Sequence, residues 1–116
     1  MGWDKPDLYN QPEHFGLQFI GSLQWGEPDW DFNITAVLHD GEDKFYVIND
    51  SGCSCPMPFE DFTSLDKVEP KTKWEVIAEL TERLKHFVEY AYKTDAEKDK
   101  ATVDVTDICG KLAAIR

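Results

Sequence analysis

The stretch Asp31-Phe32-Asn33-Ile34-Thr35-Ala36-Val37-Leu38-His39-Asp40-Gly41-Glu42-Asp43-Lys44-Phe45-Tyr46-Val47-Ile48-Asn49-Asp50 decides the fold. Phe32, Ile34, Ala36 and Leu38, with Trp30 before them, alternate with Asp31, Asn33, Thr35 and His39; Val37 breaks the pattern. A period of two reads as a strand with one buried face. Asp40-Gly41, followed by Glu42 and Asp43, is a hairpin signal. Lys44 to Asp50 then forms another strand. Its Phe45-Tyr46-Val47-Ile48 run is apolar on both faces, which places it centrally or beneath a helix.

Moving toward the N-terminus, residues 15–25 alternate as well. Phe15, Leu17, Phe19, Leu23 and Trp25 share one face with Gly21, and Gly16, Gln18, Ser22 and Gln24 share the other, broken by Ile20. Gly26-Glu27-Pro28-Asp29 has turn composition and joins this strand to the next. Residues 1–14 read as an irregular arm, pinned to the body by Leu8 and Tyr9 between Pro6 and Pro12.

Toward the C-terminus, residues 51–70 form a cysteine-proline loop and a connector. Thr72 and Glu75 make a capping box. Trp74, Ile77, Leu80, Thr81, Leu84, Phe87, Val88 and Ala91 then follow a helical period, which predicts a long helix over about 73–93 covering the apolar sheet face. Glu79 with Arg83 and Glu89 with Lys93 are four-residue ion pairs in the better orientation. Thr94 to Lys100 reads as a connector or one frayed turn. Val103, Val105, Ile108, Leu112 and Ile115 predict a short closing helix, weakened at Gly110.

The expected fold is therefore α+β in a single domain of 116 residues. It is an antiparallel meander of three or four strands packed against one long helix, with a short C-terminal helix. The fourth strand, if formed, is short and lies near Leu65–Val68. The parts are an arm (1–14), the meander (15–50), the loop and connector (51–70) and the helical part (71–116).

The charge is unevenly placed. Residues 1–70 carry 14 acids against three bases, a net of −11, while residues 71–116 carry nine of each. Such a field repels nucleic acid and anionic membranes and favours a partner protein with a basic surface. Solubility alone is the plainer explanation of an acidic small domain. The partner-facing candidates are Glu27, Asp29, Asp31, Asp40, Glu42, Asp43, Glu60 and Asp61. Trp25 and Trp30 flank an acidic turn but read first as a cross-hairpin pair packed on the helix. No long apolar run and no basic-then-apolar leader is present, so a cytoplasmic protein without a membrane span is expected.

The loop Ser51-Gly52-Cys53-Ser54-Cys55 holds the remaining chemistry. Cys53 and Cys55, with Cys109 and one of His14, His39 or His86, are a weak match to a zinc site, so no metal is assigned. Three cysteines also argue against a disulfide framework. Asp50, Glu60 and Asp61 disfavour a thiolate, which weakens a catalytic reading. As a structural turn, Gly52 supplies positive φ, Asp50 or Ser51 bonds nearby backbone, and Phe59 and Phe62 dock the exit to the core. The turn carboxylates lack the spacing of a calcium loop. No phosphate-binding, dinucleotide or nucleophile-elbow motif occurs, so neither a catalytic residue nor a cofactor is assigned.

The run Asp50-Ser51-Gly52-Cys53-Ser54-Cys55-Pro56-Met57-Pro58-Phe59-Glu60-Asp61-Phe62 resembles a family of small uncharacterised acidic proteins from phages of actinobacteria, of the mycobacteriophage type. Leu8 to Glu13, Phe15-Gly16-Leu17 and Trp25-Gly26 are similar as well. The resemblance implies a phage or prophage accessory protein acting in the cytoplasm of an infected bacterium, and it supplies no catalytic residues. The leading expectation is a non-enzymatic protein that engages a host protein through its acidic half, inhibiting a nucleic-acid-binding or defence protein by charge mimicry. The alternatives are a structural phage component of capsid or tail, and a small metal- or thiol-dependent module at Cys53 and Cys55.

Overall fold

The structure, a computed structural model, describes residues 7–25, 31–53, 59, 62, 64–66, 68–90 and 93–115, with backbone alone at Asp31, Phe32 and Cys53. It is α+β. Strands β1 (Gln18–Gln24), β2 (Asp31–His39) and β3 (Phe45–Cys53) precede helices α1 (Lys73–Tyr90) and α2 (Asp95–Ala114). The sheet has the order β1-β2-β3, and both pairings are antiparallel. The meander read from the sequence is thus present.

β2 and β3 pair without interruption from Asp31↔Cys53 to His39↔Phe45. The strand therefore runs through Ser51, Gly52 and Cys53, which the sequence reading placed in the loop. Gly52 sits opposite Phe32 in the ladder rather than in a turn, and Phe59, at φ 65°, takes the left-handed conformation. Among the described residues no strand forms at 65, 66 or 68, and the pairing beyond β3 is one bridge further along, at Lys71. Lys71 exchanges two backbone hydrogen bonds with Phe45, at 2.8 and 2.7 Å.

β1 departs from simple alternation. Phe19 pairs with Leu38 and Gly21 with Val37, which leaves Ile20 as an extra residue, a β-bulge. One inserted residue exchanges the two faces of everything beyond it. Leu17 belongs to one core, and Phe19 lies edge-on to Tyr9 on that side. Leu23 and Trp25 belong to the other core. The single apolar face expected for residues 15–25 is therefore split between two layers.

Both faces of the sheet are covered. On one, Leu23, Trp25, Val37 and Phe45 pack against Val76 and Leu80 of α1 and Ala101, Val105, Ile108 and Leu112 of α2. On the other, Ala36, Leu38 and Ile48 pack against Leu8 and Leu17 from the N-terminal segment and against Phe59. The arm is pinned as expected. Leu8 is fully buried, its N–H donates to Phe62 O at 2.8 Å, and Tyr9 stacks on Phe59 at 4.6 Å between centroids.

The apolar face of β2 carries Ile34, Ala36 and Leu38, and the arm and the Phe59 segment cover it, not the helix. The helices cover the face that reads as polar, where Thr35 and His39 are buried. This is possible because the polar groups there are partnered. His39 stacks on Phe45 at 4.2 Å, and its Nε2 lies 3.3 Å from Glu42 O.

The capping box of α1 forms as read: Glu75 N–H donates to Thr72 Oγ1 at 3.2 Å and Thr72 N–H to Glu75 Oε1 at 2.9 Å. Its buried face is Val76 and Leu80, with Ile77, Leu84 and Phe87 partly covered. Trp74 points outward and is 64% exposed. α2 is a 20-residue helix, much longer than the short closing helix expected. Thr94, read as part of a connector, is its N-cap and accepts a bond from Glu97 N–H at 3.1 Å. α2 packs on β1 so closely that a Cβ on Gly21 would stand 2.8 Å from Ile108 Cγ1. Lys111 Nζ reaches the carbonyl of the bulge residue Ile20 at 3.4 Å. Among the described residues, no helix is long and apolar enough to cross a membrane.

Candidate functional site

Two features carry exposed chemistry among the described residues, the β2–β3 turn and a pocket at the opposite end of the same strands. The turn is built by Asp40. Its Oδ1 accepts from Glu42 N–H at 2.8 Å and Lys44 N–H at 3.2 Å, while Gly41 takes φ 86°. Partial burial pushes the Asp40 carboxyl up. The two backbone bonds, helped by His39 and Lys44, outweigh burial and hold it below the ordinary carboxylate value. Asp40 is thus occupied in shaping the turn. Glu42 and Asp43 are exposed beside it, and carboxylate oxygens of all three lie within 4.8 Å of one another.

The pocket begins with a chain of side-chain bonds across the sheet. Trp25 Nε1–H donates to Thr35 Oγ1 at 2.9 Å, and Thr35 donates in turn to Asn49 Oδ1. Asn49 Nδ2 lies 3.4 Å from Asn33 Oδ1, which also accepts from Arg83 Nη2 at 3.1 Å. β1, β2 and β3 are thereby tied to the middle of α1. Arg83 lies over the Trp25 ring, 5.2 Å from its centroid, and Phe87 tilts against the same indole at 5.1 Å. His86, Tyr90 and Lys93 complete the lining of a cavity of about 300 Å³. Lys93 lies 4.0 Å from Glu97 of α2.

Burial depresses the Arg83 pKa, and Glu79 partly offsets that. Glu79 itself is engaged by Lys71. Of the four-residue pairs read from the sequence, Glu79 acts on Arg83 through its charge but is hydrogen-bonded by Lys71, and Lys93 also approaches Glu97 of α2. Sequence reading missed the pocket because Arg83 looked like a surface partner of Glu79, and Asn33 fell on the polar face of its strand. The available signal was a polar strand face opposite an arginine on the covering helix.

The remaining sequence candidates are scattered. Ser51 is exposed and Gly52 half-buried, both in β3. Glu27, Asp29, Ser54, Cys55, Glu60, Asp61 and Trp30 lie outside the described residues, as do the side chains of Asp31 and Cys53. Cys109 is half-buried on α2 and packs at the helix-side core. Burial raises its thiol pKa, and a hydrogen bond with Thr81 opposes that. Of the histidines proposed as a fourth ligand, His39 is buried against Phe45, His14 lies edge-on to Phe15, and His86 sits beside Tyr90. Asp50 instead organises the loop: its Oδ1 accepts from Ser51 N–H at 3.0 Å and its Oδ2 from Phe59 N–H at 2.8 Å.

The class is that of a small α+β domain with two helices on one sheet face and, on the other, the N-terminal segment with its short 3-10 helix at Pro12–Phe15 and Phe59. A family model, domain of unknown function DUF7574, matches residues 6–108, and the chain belongs to that family. No curated protein and no solved structure matches the chain.

Proposed function

We propose that the protein is a non-enzymatic binding protein that engages a basic protein surface through its acidic sheet-and-turn half. The observation that carries this reading is the net charge of −11 confined to residues 1–70. Glu42 and Asp43 stand exposed at the tip of the β2–β3 hairpin, which agrees with it. A rigid hairpin presenting carboxylates speeds encounter with a cationic partner and repels nucleic acid. The actinobacteriophage resemblance of residues 50–62 makes a host protein the proposed partner, and charge mimicry of nucleic acid the proposed mode of inhibition.

The test is affinity capture from an actinobacterial lysate at low and high salt, followed by mass spectrometry. One partner, lost at high salt and lost on Glu42→Lys with Asp43→Lys, supports the reading. Asp40 is left intact in that variant because it holds the turn together. Binding that ignores both salt and charge reversal would refute it, and self-assembly of the purified chain would favour a structural phage component.

A further inference from the structure

The pocket beneath Arg83 is distinct from the acidic turn and has the opposite chemistry. We propose that it is a small-molecule site for a flat ring bearing one carboxylate or phosphate group. The proposal is independent of the acidic-surface reading and stands or falls separately from it.

The first argument is the state of Arg83. A guanidinium carries five N–H donors. Among the described residues, Arg83 uses one side-chain hydrogen bond, to Asn33 Oδ1. It is half-buried, and its neighbour Glu79 is already engaged by Lys71. A cation partly withdrawn from water, with donors to spare at a cavity wall, gains more from an arriving anion than an exposed one does. The planar fork suits carboxylate and phosphate oxygens.

The second argument is the wall. Trp25 is 5% exposed and fixed through its indole N–H to Thr35, so its ring has one orientation. Phe87 packs against it, and Tyr90, 66% exposed, stands beside His86 at 4.7 Å. An aromatic wall next to a fixed cation selects a ring with a charged substituent. The cavity, about 300 Å³, matches one ring with a short acidic arm and lies at the small end of ligand sites. The third argument is preorganisation. Asn33 holds Arg83 in place and is itself held by Asn49, so the donors are positioned before any ligand arrives.

The experiment is titration of the full chain followed by ¹H–¹⁵N NMR at the Trp25 indole and Arg83 Nε–H signals. The probes are indole-3-acetate, phenyl phosphate and N-acetylphenylalanine, the last standing for a peptide C-terminus. Indole-3-acetamide supplies a ring without charge and acetate a charge without a ring. The expected result is saturable shifts with at least one ring anion, and affinity at least about tenfold weaker for both controls. Whichever probe binds best separates a free carboxylate, a phosphate and a chain terminus as sources. Arg83→Gln is expected to weaken that probe about tenfold or more, with Arg83→Lys between the two. No saturation by any ring anion up to about 10 mM would overturn the proposal. So would equal affinity for probe and controls, a comparison that uses only the wild-type chain and needs no variant to fold.

Discussion

Gly21→Ala is the sharpest test of how the helices sit on the sheet. The added Cβ would stand 2.8 Å from Ile108 Cγ1 and 3.0 Å from Cδ1, inside van der Waals contact for carbon. Ile108 is 3% exposed and packed in the helix-side core, so it has little room to yield. Overpacking of this kind costs about 1–3 kcal/mol. With a urea m-value of about 1.5 kcal/mol/M, a loss of about 2 kcal/mol lowers the midpoint by about 1.3 M. Ile108→Ala alone leaves a cavity and costs about 2–5 kcal/mol. In the double variant the new methyl enters that space. The pair is therefore expected to be less destabilised than the sum of the singles, by at least about 1 kcal/mol. Gly110→Ala is the control: nothing lies within 4 Å of its Cβ position, and in the interior of α2 it should gain about 0.5–1 kcal/mol. An unchanged midpoint for Gly21→Ala, or strict additivity in the double variant, would refute the close approach of α2 to β1.

Three further outcomes follow from local geometry. Thr94→Ala removes the N-cap of α2 and is expected to cost about 0.5–2 kcal/mol, read by urea unfolding. Asp50→Asn replaces a carboxylate that accepts from both Ser51 and Phe59 N–H with a group offering one acceptor. The expected loss is about 1.5–3 kcal/mol, with the Phe59 amide resonance moving most in NMR. Asp40 has a lowered folded pKa, so its contribution to stability is present above the ordinary carboxylate pKa of about 4 and fades as pH falls through the lowered value. Asp40→Asn should therefore be less stable than wild type at neutral pH and converge on it in acid, measured as urea midpoints across pH 2–7.

Much of the architecture could be read from local chemistry. Thr72 and Glu75 announce α1 because their side chains satisfy backbone donors within one turn, and Asp40-Gly41 announces the hairpin for a similar reason. What depended on long-range packing was not legible. The bulge at Ile20 reassigns Leu17 and Leu23 to opposite layers, and its trace in the sequence is one apolar residue on a polar face beside a glycine. Thr35 and His39 look like solvent-facing residues until Trp25, Asn49 and Phe45 are found beside them. α2 was underestimated because its first two turns are charged, although Thr94 and Glu97 repeat the capping pattern of Thr72 and Glu75. The pocket needed all of these at once, since its cation comes from α1 and its polar floor from β2 and β3.

The bulge in β1 has a consequence for encounters between copies of the chain. In a three-stranded meander both outer strands offer unpaired backbone to any neighbour, and a regular outer strand is a template for stacking sheets end on end. On β3 the backbone of Phe45 is already taken by Lys71. On β1 a second copy would find the hydrogen-bonding rhythm interrupted at Ile20, whose carbonyl faces the ammonium of Lys111. Adding a strand there means accommodating a kink and displacing a cation, which protects a short sheet against polymerising into fibres.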